Sequence, residues 1–561
     1  MNEKMKKILV VAAIIVCMCG SLGVGVKIGK KVSRFETYAM EEVNEVYYPG
    51  VYKPGNILTV LAQDDINFME RKSMPPMERM SSEDRNTFIA GLKVVKRAND
   101  LGLTMGDVMK PEKAWKELYY EINSFALEPE TVAFDGSLAS ELNAFMKANE
   151  GKRVVVNNVS LELDDTLHVP ANTQLVGRGT LIEAASSVKY CFHMENVENI
   201  SIEGFEIHGG SYGVYLLDCR NVVVKNCVVK NCKRRGIVLY EGENINLANN
   251  EMSYCRHGGL FMLGSCTKVL VEGNEIVENT GAENLSAGIC MTSNESSTRE
   301  DPDEGFETQF IRNLSEKKDA PNRIVIRNNV VANNNSSGIY NDGSYLVYVI
   351  DNQIYANDTE GMCMDFGTIG TYIARNSIVS NGFRARQTNA DLEMDYVLGL
   401  GRMADGSSPA KLPGLSMDNT MWNIITENFI SNNAGSGIKS VRTTIQTLIC
   451  DNIIDGNNAG ESEAFHFFAI ELGAANDGSQ EQQNMSVAMD FVPNYENIIC
   501  RNHILGGHYS GIYLAPGCYI NDIYENSIYE PKVFSIECQS EKFNSSMRNY
   551  SNTESIGLRL W

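Results

Sequence analysis

Net positive charge is missing from this 561-residue chain: 49 Lys and Arg stand against 71 Asp and Glu, for a formal charge of −22. A chain this acidic repels phosphate backbones, so wrapping nucleic acid is excluded as its function. No CxxC motif occurs, and the seven His form no closely spaced ligand set, which argues against a structural zinc site. There is no recurring Leu framework, which excludes a leucine-rich repeat, and the repeat is too short for a propeller blade. The many Asn do not form a low-complexity tract, so they are no sign of disorder.

What is present is a period. Two copies of one unit read PNRIVIRNNVVANNNSSGIYNDG and SYLVYVIDNQIYANDTEGMCMDFG, with Asn329 and Asn352 23 residues apart, and Gly338 and Gly361 likewise. The register continues through Asn226, Asn250, Asn274, Asn376, Asn428, Asn452, Asn502 and Asn526, spaced 23 or 24 residues, or 50 to 55 where an insertion intervenes. An apolar residue stands three before and two after each. Units of this size cannot bury their own apolar face and must stack. Short strands at this period specify an all-β fold: a single-stranded, right-handed parallel β-helix, with the repeated Asn stacked at an internal corner where its amide ties neighbouring coils together.

The organisation expected is a tip with membrane anchor or signal segment over 1–34, a helical and irregular accessory region over 35–136, a capping helix over 137–151, the β-helix over 152–538 and a C-terminal cap over 539–561. Residues 8–26 carry no charge and follow a basic start, Lys4, Lys6 and Lys7. They read as an uncleaved anchor in the cytoplasmic membrane or a cleaved signal, and either places the body at the cell surface or in the medium. Amphipathic helices are expected over 86–99 and 112–125, in a region that serves as stalk, cap or lid. The fourteen Cys read mainly as buried fillers, although Cys450 and Cys500 fall in coils that can be adjacent.

The helix SLASELNAFMKAN followed by VVVNNVSLELDDTLHVPANTQLVGRG over 154–179 resembles the start of the pectate-lyase-like superfamily of right-handed parallel β-helices, and the similarity runs over roughly 137–540. The resemblance implies that fold and, for most members, action on or binding to polysaccharide. It does not select an activity, since fold alone does not. Polygalacturonases share an Asp-Asp pair, a Gly-His-Gly and an Arg-x-Lys. Here Arg256-His257-Gly258-Gly259 and Gly507-His508-Tyr509 are fragments, and Asp164-Asp165 precedes the regular repeats. The Asp-Pro-His run of alginate epimerases is absent. The spatial signature of pectate lyases, Ca²⁺-binding Asp residues with a catalytic Arg or Lys, stays open.

Alternation along a strand places Tyr340 and Asp342 outward, with Asp365 in the position of Asp342 one coil on. Two carboxylates so stacked can divide the parts of acid and of nucleophile or base in glycoside hydrolysis. Asp342, Asp365 and, on a later coil, Glu471 are therefore the candidate catalytic residues. Tyr340, Tyr240, Tyr513, Tyr215 and Phe261 are candidate sugar-stacking rings, and Lys439 and Arg442 candidate partners for an anionic group. These aromatics could instead pack under loops or against a second copy in a homo-oligomer. Insertions over 292–320, 384–421 and 473–494 would wall a groove. The first is acidic and is a candidate Ca²⁺ site without the EF-hand spacing; no other cofactor is expected. The leading reading is an extracytoplasmic glycoside hydrolase or transglycosylase. The alternatives are a polysaccharide lyase, a fructan fructotransferase, or a non-catalytic glycan-binding or envelope scaffold.

Overall fold

A computed structural model describes residues 93–552, with breaks chiefly at 124–128, 294–318, 384–411, 459–465, 474–493 and 539–543. Three of the breaks fall within the expected insertions, so the walls of the groove, the candidate Ca²⁺ site and Arg442 lie outside the described residues, as do residues 8–26. Among the described residues no helix is long and apolar enough to cross a membrane. The expected partnership with the cytoplasmic membrane is corrected accordingly: nothing described here anchors the chain.

The chain winds as a parallel β-helix most of whose coils contribute three strands, as in Asn322–Arg327, Val330–Ala332 and Ile339–Asp342. Every strand pairs in parallel with its counterpart one coil on, so Ile324, Val347 and Val269 stack, as do Ile339, Met362 and Leu415. We call the three faces I, II and III in the order of these strands. Face III is a continuous twelve-stranded sheet running from Tyr190–Glu195 to Phe534–Cys538. The interior is a continuous column of Ile, Val, Leu and Met, nearly all fully buried.

The corner between faces I and II shows how local sequence fixes the bend. A single left-handed residue, such as Asn328, Asp351 or Arg375, turns the chain there. The ladder Asn follows it. The Asn352 Oδ1 accepts both the backbone N–H and the Nδ2 of Asn329 at 3.0 and 2.9 Å, while its own Nδ2 donates to Ile326 O and to Asn376 Oδ1. The same pattern repeats from Asn250 to Asn549. Asn226 is a correction to the expected register. It is the exposed left-handed residue, and Cys227 takes the ladder place below Asn250, with Val224 and Val229 as the flanking apolar pair.

A second ladder, not anticipated from the period, lines the next corner through Asn279, Asn334, Asn357, Asn381, Asn433 and Asn457. It ends on His508, whose ring faces Asn457 Nδ2 at 3.5 Å through Nε2 and Leu505 O at 3.0 Å through Nδ1. A neutral ring with the proton on Nδ1 satisfies both partners. Burial holds the His508 pKa down to about 4, from an unfolded value of 6.5. The unfolded chain therefore binds the extra proton between these values. The contribution is complete above pH 6.5 and is lost as pH falls toward 4, to a total of about 3 kcal/mol. His508→Asn, which extends the ladder without a titrating group, is expected to flatten this acid limb in denaturant melts recorded between pH 4 and 7. An unchanged limb would assign it to other groups.

Among the described residues four helices precede or cap the coils: α1 (Lys93–Asp100), α2 (Met105–Val108), α3 (Pro111–Asn123) and α4 (Ala139–Ala148). In α4, Ala139, Leu142 and Met146 are fully buried on one stripe and join the interior column at its first coil. In α3, Trp115, Leu118 and Ile122 share a stripe that lies on the outer side of face I over Leu270, Val325, Tyr348 and Tyr372. Polar contacts frame this patch: the Arg327 guanidinium sits 4.8 Å from the Tyr119 ring, and Lys268 pairs with Glu121 at 2.6 Å. The twelve described cysteines are all free thiols. Cys450 and Cys500 do fall in register on adjacent coils.

Candidate active site on the outer side of face III

Three outward columns run along face III. The middle one passes through Tyr215, Val238, Phe261, Cys290, Tyr340, Cys363, Ser416, Lys439, Glu471 and Tyr513. The column two residues further on holds Leu217, Tyr240, Leu263, Thr292, Asp342 and Asp365. Its chemistry changes along the axis, from an apolar cluster in the early coils to hydroxyl and carboxylate groups in the middle ones.

Asp342 and Asp365 pair in register, as expected from the 23-residue offset. The Tyr340 hydroxyl donates to Asp365 Oδ2 at 3.0 Å, and the Thr292 hydroxyl donates to Asp342 Oδ2 at 2.7 Å. Asp365 is 4% exposed and Asp342 partly exposed. Burial, then the charges of Asp365 and Asp342, push the Tyr340 phenol well above its ordinary range. Tyr340 is therefore a neutral donor and not a base.

Sequence reasoning missed Asp418. The chain is back in the coil before the end of the expected 384–421 insertion: Leu415–Met417 is a strand of face III, paired with Met362, Cys363 and Met364. Asp418 follows it, its N–H donating to Met364 O, so it extends the carboxylate stack to a third coil. The signal was present as a Gly-x-x-x-Asp motif repeated at 338–342, 361–365 and 414–418. Glu360, one column over, accepts from the Ser337 hydroxyl at 2.9 Å.

Two coils beyond Asp418, Glu471 stacks on Lys439 and pairs with its Nζ at 2.9 Å, while the Ser436 hydroxyl donates to the other carboxylate oxygen at 2.6 Å. Tyr513 stacks above Glu471 in register, its ring 4.4 Å from that of Phe468, and is partly exposed. Burial and then the charge of Glu471 raise its phenol pKa. Tyr240, Tyr215 and Phe261 are placed otherwise than expected. All three are 1% exposed or less, within an apolar cluster that also takes in Tyr340 at 4%, and none of the four presents a ring to a ligand there. Arg235 lies 3.6 Å over the Phe261 ring and occupies one of its faces. Among the described residues no group of three or more His, Cys, Asp or Glu is arranged to hold a metal ion.

The fold and this geometry define a right-handed parallel β-helix protein. Residues 179–301 match the family described as right handed beta helix region. Among solved structures, the chain is similar to the A-module of a mannuronan C-5 epimerase of Azotobacter vinelandii (15% identity, 60% of this chain and 93% of that one, TM-score 0.41). It is similar also to PfbA, a surface adhesin of Streptococcus pneumoniae (11% identity, 74% and 92%, TM-score 0.45), and to a tailspike protein of an E. coli bacteriophage (12% identity, 73% and 73%, TM-score 0.42). These likenesses are too distant to bring a function to this chain. No curated protein matches it.

Proposed function

We propose that the protein is a carbohydrate-active β-helix that takes a polysaccharide or oligosaccharide outside the cytoplasm and acts on it at the carboxylate stack of face III. The observation that carries this reading is the in-register pair Asp342 and Asp365, each held by a hydroxyl donor. Asp365, whose Oδ2 is fixed by the Tyr340 hydroxyl, is taken as the nucleophile or base, and Asp342, the more exposed of the two, as the proton donor that can exchange with solvent.

Adjacent parallel strands lie about 4.8 Å apart, close to the separation of about 5–5.5 Å that goes with retention of configuration. A hydrolysis product with retained anomeric configuration is the expected result, read by NMR immediately after cleavage. Inversion would move the pair to Asp342 and Asp418, one coil further apart.

The charge balance bears on substrate. In the coils from Ser337 to Leu472, the described outer side of face III carries Asp342, Asp365, Asp418, Glu360 and Glu471 against Lys439. So acidic a surface suits a neutral glycan better than a polyuronate. The Lys439–Glu471 pair favours a second reading, a polysaccharide lyase or epimerase, in which Lys439 meets the substrate carboxylate and Glu471 takes the proton. A glycan panel read by mass spectrometry separates the two: a new reducing end marks hydrolysis, and an unsaturated uronate marks elimination. Saturable binding with no product on any glycan would leave the scaffold reading in place.

A further inference from the structure

The N-terminal helical segment reaches the same site. Arg97 of α1 is 2% exposed, and its guanidinium donates to the carbonyls of Gly343, at 2.5 Å, and of Gly367. Gly343 directly follows Asp342, and Gly367 stands two residues after Asp365. One side chain, 246 residues away in sequence from the nearer turn, thus bridges the two turns that carry the candidate catalytic pair.

Those turns are also tied to each other. The Gly343 N–H donates to Asp365 O at 3.1 Å, and the Thr368 hydroxyl donates to Asp365 O at 2.8 Å and to Asn341 O at 3.1 Å. The Gly367 N–H donates to Asn419 O, the carbonyl after Asp418. Both Gly343 and Gly367 are left-handed, with φ of 76° and 88°, so their carbonyls are turned by a backbone that L side chains rarely adopt. The planar fork of Arg can bind two carbonyls at once with little loss of freedom, which the single ammonium of Lys cannot reproduce. The segment is held in place independently of Arg97, by the α3 stripe on face I and by Val108 against Gly370 in the turn beyond Gly367.

We infer that Arg97 is a positioning residue for the carboxylate stack: it fixes the spacing of Asp342 and Asp365 from outside the β-helix, and so makes the helical segment part of the functional site. This rests on the reading of the Asp pair as the site. A shift of about 1 Å in a catalytic group can cost on the order of 10²-fold in rate, so losing the bridge should fall on turnover more than on substrate affinity.

The test uses the full chain with Arg97→Ala, Arg97→Lys and, as a reference, Asp365→Asn. Hydrogen exchange is followed by mass spectrometry on peptides spanning 341–346 and 365–370, with ladder peptides around Asn452 and Asn502 as internal controls. Turnover is followed on the glycan found in the panel. In Arg97→Ala, exchange should rise at both turns and not at the controls, and kcat should fall on the order of 10²-fold with KM little changed. Arg97→Lys should recover part of both, and it serves as the folded variant if Arg97→Ala does not fold. Unchanged exchange at the turns overturns the inference. So does faster exchange with unchanged kcat, which would leave Arg97 a purely structural tie. If Asp365→Asn keeps its turnover, the reading of the site itself fails and the inference fails with it. If Asp365→Asn is inactive while Arg97→Ala is not, the inference fails alone.

Discussion

Asn352→Leu is expected to lower the stability of the β-helix by roughly 2–6 kcal/mol, from two buried groups left without partners at about 1–3 kcal/mol each. The two groups are identifiable. The backbone N–H of Asn329 loses the Asn352 Oδ1, and the carbonyl of Ile326 loses the Asn352 Nδ2. Leu has the same number and branching of side-chain heavy atoms, so no cavity opens. The neighbours cannot turn to water, because Asn329, Asn352 and Asn376 are each about 1% exposed. Coils contact only their neighbours, so the damage should spread along the solenoid as a loss of cooperativity as well as a lower midpoint. Asn226→Leu is the matched control. Asn226 is exposed and outside the ladder, its Nδ2 donating to Glu203 at 3.3 Å, but it is left-handed, so its replacement should cost roughly 1–2 kcal/mol, from backbone strain and not from the ladder. Chemical denaturation of both variants checks this. Equal effects of the two would mean that the ladder contributes nothing beyond an ordinary surface Asn.

The contrast between Asn226 and Asn352 also shows what a sequence can and cannot carry here. The period is legible because stacking forces one residue type into the same environment at successive coils, and nine Asn from Asn250 to Asn526, with flanking apolar residues, record it. Register within a single coil is weaker. In RNVVVKNCVVK the ladder place is filled by Cys227, and a neighbouring Asn that serves the left-handed bend imitates it at an offset of one. The second ladder went unread because its first places hold Cys232 and Cys255, and its last holds His508. Small thiols and an imidazole meet the same packing demand as Asn, but no residue count groups them.

The site was legible where it follows the period and illegible where it depends on cover. In-register stacking of Asp342 on Asp365 is arithmetic, and Asp418 lay within reach of the same arithmetic. Exposure is not periodic. The same outward columns hold Tyr215, Tyr240, Phe261, Tyr340 and Asp365, which their surroundings bury, and Asp342 and Tyr513, which stay partly exposed. Nor could any spacing reveal Arg97, whose contact with Gly343 and Gly367 depends on how a helix lies across a corner.

Asp365→Asn is expected to reduce kcat on the true substrate by on the order of 10²-fold or more while leaving the fold intact. Asn has the shape of Asp, and its amide can still meet the Tyr340 oxygen, donating where Asp365 accepted, so the packing of this 4%-exposed side chain survives. What is lost is the charge, and with it the capacity to attack an anomeric carbon or take a proton from water. Tyr340→Phe separates the two contributions. It removes the donor but not the carboxylate, and should cost far less than Asp365→Asn. Asp342→Asn should also abolish turnover on glycans with poor leaving groups. It should spare activated aryl glycosides, because only the former need a proton at the departing oxygen. That difference assigns the acid, and steady-state kinetics on paired substrates measures it. Near-wild-type turnover in both Asn variants would remove the stack from the chemistry. The next candidate is then the Lys439–Glu471 pair, a carboxylate with an ammonium 2.9 Å away on the same face.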